Sequence, residues 1–259
     1  MKTKLIFIIV ALSFMSCIGD LDVTNKSAVS SKSMWKEEGD AKAAMYGLYN
    51  QFRSTFSYGY FTWGEYRTGL WGDGLTGQTS RDQVYQNQIP TNHYFSDWTE
   101  LYTTINDANL IIKKVPIIHF NSENTKNEVL SNAYFVRAFC YYWIGRIWGD
   151  APLLLEGYES DSQEGLYPQR TSAERIFEQI GNDIDKAYKL IPDGIVKNRA
   201  SKASIAMLKA DYDLWMYKVR KSGDNYLQDA NEKIQSVLAN PAYGLENNYA
   251  DIFNDQPNK

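Results

Sequence analysis

Apolar residues recur at helical spacing through most of the chain, and this pattern limits the possible folds more than any other feature. A first apolar face begins near Asp40 and includes Ala41, Met45 and Leu48. Further helices are predicted over residues 97–115, 127–148, 172–191, 201–221 and 227–238. Proline stands at or just after the end of several of these segments, where a helix must stop. The sequence therefore predicts an all-α protein.

The later helices fall into consecutive pairs. We expect residues 97–115 to pack antiparallel against 127–148, and residues 172–191 against 201–221. Two-helix repeats of about 34 residues are typical of tetratricopeptide proteins. The segment 127–148 is apolar nearly all round, so it should be buried between neighbouring helices. These features favour tetratricopeptide-like stacked helical hairpins.

Residues 57–95 interrupt the helical pattern. The stretch SYGYFTWGEYRTGLWGDGLTG crowds glycines among aromatic residues and follows neither the strand period nor the helix period. We expect a long aromatic, Gly-rich loop here. Loops of this length in a compact domain are usually functional or disordered.

The composition of this loop fits a carbohydrate ligand. Sugars have apolar C–H faces and many hydroxyls, so a sugar site needs aromatic platforms beside carboxylate or amide groups. The predicted ligand-binding residues are Trp63, Tyr66, Trp71, Asp73 and Tyr85. Trp71 and Asp73 are the preferred pair, because the glycines around them permit unusual backbone geometry and close approach. The alternative is that the aromatic residues only cover the helical core.

The amino terminus has the pattern of a lipoprotein signal peptide. Lys2 and Lys4 precede an apolar run, Leu5 to Met15. As a helix this run would extend about 16 Å, roughly half the hydrocarbon thickness of a bilayer, so it is too short to span one. It ends in LSFMSC, residues 12–17, which resembles a relaxed bacterial lipobox, in which the cysteine thiol takes a lipid.

We therefore predict a signal peptide over residues 1–16, acylation of Cys17, and a flexible polar tether over residues 17–33. A helical domain follows over residues 34–259. Two or three acyl chains would hold the protein stably on a membrane, whereas one would not. The alternative is a cysteine without a lipid in an ordinary signal peptide.

Charge and motifs exclude several functional classes. Lys and Arg total 27 against 31 Asp and Glu, and this acidic balance argues against a nucleic-acid partner. The sequence contains no Gly-x-Ser-x-Gly motif and no Walker loop, and its two histidines, His93 and His119, lack metal-site spacing. Nothing marks out a catalytic carboxylate pair. We expect no enzyme activity, and hence no catalytic residue, metal or cofactor.

Four segments together resemble the amino-terminal half of SusD/RagB-family lipoproteins, in this order and spacing. They are FSDWTELYTTINDANLIIKKV, SNAYFVRAFCYYWIGRIWGDAPLLLE, QRTSAERIFEQIGNDIDKAYKLIP, and the stretch from SKASIAMLKADYDLW to YADIF. Any one segment would be a weak signal, but the set is specific. The lipobox and tether that precede the segments strengthen the resemblance.

The resemblance implies a surface-exposed lipoprotein of the outer membrane with a tetratricopeptide-like scaffold and a ligand site built largely from loops. It implies that the protein captures oligosaccharides, or another nutrient, for a SusC-type TonB-dependent transporter. Family members extend further, so we expect the carboxyl-terminal part of the family fold to be absent here. Two alternatives stay open: a protein-interaction scaffold without a ligand site, and a non-functional truncated fragment.

Aromatic residues on the helical faces are interpreted differently from those of the loop. Trp98 and Tyr102 lie in a periodic stripe and are expected in the core, or on a surface that faces the transporter. Arg137 and Asp150 belong to the segments that carry the resemblance. We expect them to form a structural ion pair or a helix cap.

Overall fold

The predicted helices form close to the predicted positions. The computed structural model describes residues 34–70 and 79–253. Its α-helices are α1 (Glu38–Trp63), α2 (Thr79–Tyr85), α3 (Thr99–Lys114), α4 (Glu123–Ile147), α5 (Ala173–Leu190), α6 (Lys202–Lys218) and α7 (Asp224–Leu238). Short 3₁₀ helices occupy Glu65–Arg67, Tyr94–Ser96, Val115–Ile117 and Tyr249–Phe253. Strands β1 (Ala151–Pro152) and β2 (Arg170–Thr171) pair antiparallel, so the all-α prediction holds apart from this small ribbon.

Helix α4 is the central element of the packing. It contacts α1, α3 and α5, and α6 in turn contacts both α5 and α7. Side chains on several faces of α4 are fully buried, among them Val136, Tyr141 and Ile144. This matches the prediction of a helix buried between neighbours, because an all-round apolar surface must be covered on every side. The succession of neighbouring helices is consistent with tetratricopeptide-like stacking.

Side chains just before a helix fix the starting points of two helices. The carboxylate of Asp97 accepts hydrogen bonds from the backbone N–H of Thr99 at 2.9 Å and from its hydroxyl at 2.6 Å. The Ser172 hydroxyl accepts a bond from the N–H of Arg175 in α5. The first N–H groups of a helix have no partner within the helix, so these acceptors stabilise its start. The position of Trp98, between Asp97 and Thr99, is thereby fixed.

The predicted start of the loop at residue 57 is wrong. Helix α1 continues to Trp63 because Phe56 and Trp63 extend its aromatic face towards α4. The Phe56 ring lies 5.1 Å from that of Phe139 and 5.9 Å from that of Trp143, measured between centroids. This burial outweighs the weak helix preference of the glycine and aromatic residues in the segment. The less regular region begins at Gly64 and is itself interrupted by α2.

The predicted signal peptide, Cys17 and the tether over residues 17–33 lie outside the described residues. Their prediction stays a prediction. Among the helices of residues 34–70 and 79–253, none is long and apolar enough to cross a bilayer.

Candidate functional site

Trp63 lies in an aromatic cluster at the end of α1. Its indole N–H donates a hydrogen bond to the Phe95 carbonyl at 3.1 Å. Its ring meets those of Phe56, Trp143 and Trp148 at centroid distances of 5.9, 6.1 and 5.8 Å. With its polar atom bonded internally and its ring packed against three others, Trp63 has the environment of a packing residue.

Tyr66 and Tyr85 are carried by two short elements that contact each other. Tyr66 belongs to the 3₁₀ helix Glu65–Arg67, and Tyr85 is the last residue of α2. The Arg67 guanidinium donates a bond to the Asn87 side-chain oxygen at 2.8 Å, which ties the two elements together. Both tyrosines are half-buried. The structure thus brings their segments together, as a shared site would require.

The preferred pair of the prediction, Trp71 and Asp73, falls within residues 71–78, outside the described residues. Their role in ligand binding stays a prediction. Of the predicted site residues, the structure therefore describes Trp63, Tyr66 and Tyr85.

Trp98 lies between two concave surfaces and lines both of them. The sequence pattern predicts a core residue or a residue on a transporter-facing surface, so its place at a possible site was not predicted. Its half-buried ring packs edge-on against Tyr102 and Trp148, with centroids 5.7 and 5.8 Å away. The Arg170 guanidinium lies over the ring, 4.8 Å from its centroid. A cation over an aromatic face is attracted by the ring's electrons. These contacts fix the orientation of the Trp98 ring.

The first concave surface, which we call the hollow, has a volume of about 550 Å³. His93, Tyr94, Asp97, Trp98, Trp148 and Arg170 line it. The buried His93 ring accepts a hydrogen bond from the Phe95 N–H through Nδ1, and its Nε2 lies 2.8 Å from the Ser80 carbonyl oxygen. A carbonyl can only accept, so Nε2 is the donor in this contact. Both ring nitrogens are engaged in holding the backbone.

The second concave surface, which we call the cleft, lies between α3 and the segment Pro152–Pro168 and has a volume of about 660 Å³. Its aromatic lining consists of Trp98, Tyr102, Tyr158 and Tyr167. Polar groups at the cleft include Thr99, Thr103, Glu159, Ser160 and Asp161. A concave, mostly apolar surface with a few polar groups, in the range of about 300–1,000 Å³, is typical of ligand sites.

Two asparagines of α3 attach the far wall of the cleft to the helix. Asn106 donates to the Tyr158 carbonyl at 2.9 Å and accepts from the Tyr158 N–H at 2.8 Å. Asn109 donates to the carbonyls of Leu154 and Glu156 at 3.0 and 3.1 Å. An amide side chain both donates and accepts, so Asn106 satisfies a backbone acceptor and a backbone donor together, whereas Asn109 donates to two backbone carbonyls. The segment is therefore held without regular secondary structure.

A buried ion pair lies beneath these asparagines. Arg137 of α4 makes a two-pronged contact with Asp183 of α5, at 2.8 and 2.7 Å, and also donates to the Asn109 oxygen at 2.8 Å. Both charged side chains are almost completely buried. Arg137 thus pairs with Asp183 and not with Asp150, so the predicted ion pair between Arg137 and Asp150 is wrong. The predicted cap role belongs to Asp150, whose carboxylate accepts a bond from the Ala173 N–H at 2.8 Å.

Two tyrosine hydroxyls complete the base of the cleft. Tyr141 donates to the Leu154 carbonyl at 2.9 Å and accepts from the Leu154 N–H at 2.7 Å. Tyr102 donates to the Pro152 carbonyl at 2.6 Å. Burial raises the pKa of both tyrosines far above its ordinary value, so both stay protonated hydrogen-bond donors.

Gly157 packs closely against α3. A Cβ atom at residue 157 would lie 2.8 Å from the backbone nitrogen of Leu110 and 2.9 Å from its Cα. These distances are shorter than van der Waals contact, so only glycine fits without movement of the backbone.

The cleft has the size and the lining of a ligand-binding surface. Within residues 34–70 and 79–253, no group of three or more His, Cys, Asp or Glu side chains is placed to hold a metal ion. Burial raises the pKa of the Cys140 thiol, which keeps this sulfur protonated and unreactive. The fold and the cleft define a helical scaffold protein that carries a preformed concave aromatic surface.

Comparison with known protein families identifies the family to which this chain belongs. Residues 22–210 match the SusD-like family described as "Starch-binding associating with outer membrane". The match covers more than half of the chain, so the chain belongs to this family and the resemblance seen in the sequence is confirmed.

Individual relatives and solved structures agree with this assignment. SusD-like protein P38 from Formosa agariphila is 28% identical over 249 residues, which is 94% of this chain and 47% of the relative. NanU from B. fragilis superposes with a TM-score of 0.78 at 26% identity, covering 89% of this chain and 47% of that one. A laminarin binding SusD-like protein gives a TM-score of 0.69 at 23% identity over 84% of this chain and 48% of that one, and shows the fold alone. The chain spans about half the length of these proteins.

Proposed function

We propose that this protein is a nutrient-binding lipoprotein of the outer-membrane surface, which captures oligosaccharides and delivers them to a SusC-type TonB-dependent transporter. The observation that carries the proposal is the preformed aromatic cleft beside Trp98 in a chain of a starch-binding family. Aromatic rings stack on the apolar faces of sugars, and nearby hydroxyl and carboxylate groups pair with sugar hydroxyls.

Rigidity of the cleft supports binding without a large ordering cost. The hydrogen bonds of Asn106, Asn109 and Tyr141 hold the backbone of the far wall before any ligand arrives. A site that is already ordered loses less conformational entropy on binding, so more of the contact energy appears as affinity.

Affinity electrophoresis of the purified protein through a panel of soluble neutral and acidic polysaccharides tests the proposal. We expect retardation by at least one polysaccharide. Trp71→Ala, run in parallel, tests the predicted aromatic segment: loss of retardation would place a platform there. A folded protein, shown by a cooperative melt, that is retarded by no polysaccharide would contradict glycan binding. Capture of such a protein by a SusC-type barrel would then support the scaffold alternative.

The proposed anchor is the lipid on Cys17. We expect the wild-type protein to fractionate with the outer membrane and the Cys17→Ala variant to be released from it. Retention of the variant in the membrane fraction would contradict acylation as the anchor. Labelling with a radioactive or clickable fatty acid gives a second readout, since the lipid should be incorporated only when Cys17 is present.

A further inference from the structure

We infer that the cleft selects an uncharged oligosaccharide, with Tyr167 as an exposed platform, and excludes anionic sugars. This inference rests on the proposed function and adds the location and the charge class of the ligand. Three features of the cleft carry it: its charges, its exposed ring and its fixed base.

The charges at the cleft are all negative. Among the described residues that line the cleft, Glu159 and Asp161 are acidic and none is lysine or arginine. Glu159 is paired with Lys114 at 2.8 Å, whereas Asp161 makes no ion pair within the described residues. The nearest guanidinium on Trp98, that of Arg170, lines the hollow and donates to the Asp150 carbonyl at 2.6 Å.

This charge distribution discriminates between ligands by repulsion. A uronate or sulfated sugar in the cleft would exchange hydration for an apolar lining and would meet the Asp161 carboxylate without a compensating cation. A neutral sugar needs only acceptors and donors for its hydroxyls. The Asp161 carboxylate can accept from sugar hydroxyls, and so can the Thr103 hydroxyl oxygen, whose own hydrogen is donated to the Thr99 carbonyl.

Tyr167 lines the cleft, and its aromatic ring makes few contacts with the rest of the protein. It is 86% exposed, and it makes no hydrogen bond or ring contact within the described residues. Tyr158, on the same segment, is held by a hydrogen bond from its hydroxyl to the Gly165 carbonyl at 2.8 Å. A large ring kept in water beside a concave apolar surface is stabilised when a second apolar face covers it. A pyranose ring offers such a face.

The base of the cleft supports the acidic residue Asp161 and the exposed ring of Tyr167. Leu154, Glu156 and Tyr158 are tied to α3 and α4 by side-chain hydrogen bonds. The turn that carries Asp161 is closed by bonds from the Glu159 and Ser160 N–H groups to the Gln163 side-chain oxygen, at 2.6 and 3.0 Å. Discrimination by charge requires a rigid site, because a mobile segment could move its carboxylate away from an anion.

Calorimetry on the full purified protein tests the inference with defined probes. The neutral probes are maltohexaose and laminarihexaose, and the anionic probes are oligogalacturonate and oligoalginate of the same length. We expect binding of a neutral hexasaccharide and none of either uronate. Tyr167→Ala should weaken neutral binding about tenfold, the equivalent of one good stacking contact. Its melting temperature should stay unchanged because the ring is exposed.

Matched variants separate the platform and the charge from general effects. Tyr46→Ala removes another exposed tyrosine, on α1, and should leave affinity unchanged. Asp161→Lys should admit the uronate probes, whereas Glu232→Lys, the same change of charge at an exposed position of α7, should not.

Each outcome decides the inference. If the protein binds a sugar but Tyr167→Ala binds equally well, the site lies elsewhere and the inference fails while the proposed function stands. Equal binding of neutral and uronate probes by the wild type overturns the charge selection. Failure of every probe with the wild type, together with no retardation by any polysaccharide, overturns the inference and the proposed function alike.

Discussion

The base and the rim of the cleft differ in how tightly the fold holds them. The base consists of Asn109, Arg137, Tyr141 and Asp183, all of them buried. Hydrogen bonds join Arg137 to Asn109 and Asp183, and the Tyr141 hydroxyl bonds to the Leu154 backbone. The rim is represented by Tyr167, exposed and without such bonds in the described residues. Substitutions at the base should therefore change stability, and substitutions at the rim should change ligand binding alone. The scaffold can thus keep one fold while the rim adapts to different ligands.

The largest effect is expected at Asp183. Asp183→Ala leaves the buried Arg137 guanidinium without its carboxylate, and loss of one partner of a buried ion pair costs about 3–5 kcal/mol. Urea unfolding followed by circular dichroism measures this loss. Arg175→Ala breaks an exposed pair with Glu178 at 3.1 Å and should cost less than about 1 kcal/mol. Equal costs for the two variants would contradict the distinction between buried base and surface.

The next largest loss of stability is expected at Trp63, a residue of the predicted aromatic segment. Trp63→Ala removes packing against three rings and the bond to Phe95, so we expect a loss of about 2–4 kcal/mol in unfolding free energy. At temperatures where the variant is folded, sugar affinity should match the wild type. A variant of normal stability that has lost sugar binding would instead establish Trp63 as a platform.

A smaller effect is expected at Tyr141. In Tyr141→Phe the Leu154 carbonyl keeps its bond from Asn109, but the Leu154 N–H loses its acceptor. One buried unsatisfied donor costs about 1–3 kcal/mol. Hydrogen exchange of the Leu154 amide, read by NMR, should become faster while amides in α7 keep their rates. Unchanged exchange at Leu154 would show that the base does not depend on this hydroxyl.

The smallest effect is expected at Asp97, beside the rim. Bonds from the hydroxyl and N–H of Thr99 lower the pKa of Asp97 below its ordinary value. A lowered pKa means stability that is present above the unfolded value, about 3.9, and lost as the pH falls through the folded value. Asp97→Asn keeps an acceptor oxygen but cannot titrate. Its urea midpoint should therefore fall less between pH 5 and pH 2 than that of the wild type, and parallel curves would contradict this.

The helices could be predicted because their apolar residues repeat at a fixed spacing. The segments around Trp98 and Ile184 show this repeat and are buried on the predicted face. The segment around Arg137 is apolar nearly all round and is buried on several faces, as predicted. Phe56 and Trp63 are also at helical spacing, but the glycine and the further aromatic residues between them break the regular alternation of apolar and polar residues. Packing against α4 makes this segment helical, and such tertiary contacts cannot be recognised from a local sequence pattern.

The cleft could not be predicted because its contacts join residues that are distant in sequence and have no period. Asn106 bonds to Tyr158 and Asn109 to Glu156, and nothing in the intervening sequence indicates that these segments meet. Trp98 and Tyr102 lie in a regular stripe and so were interpreted as core or transporter-facing residues. The stretch ESDSQEGLYP, which holds Asp161 and Tyr167, indicates only turns.

The close approach at Gly157 has a consequence for how the binding surface could change during evolution. A Cβ atom at residue 157 would lie 2.8 Å from the Leu110 backbone nitrogen, so the backbone at Gly157 lies directly against α3. Any replacement of Gly157 would act as a spacer and push the neighbouring backbone, including that of the cleft-lining Tyr158, away from Leu110. One substitution at a residue that does not itself line the cleft is therefore expected to change the width of the cleft.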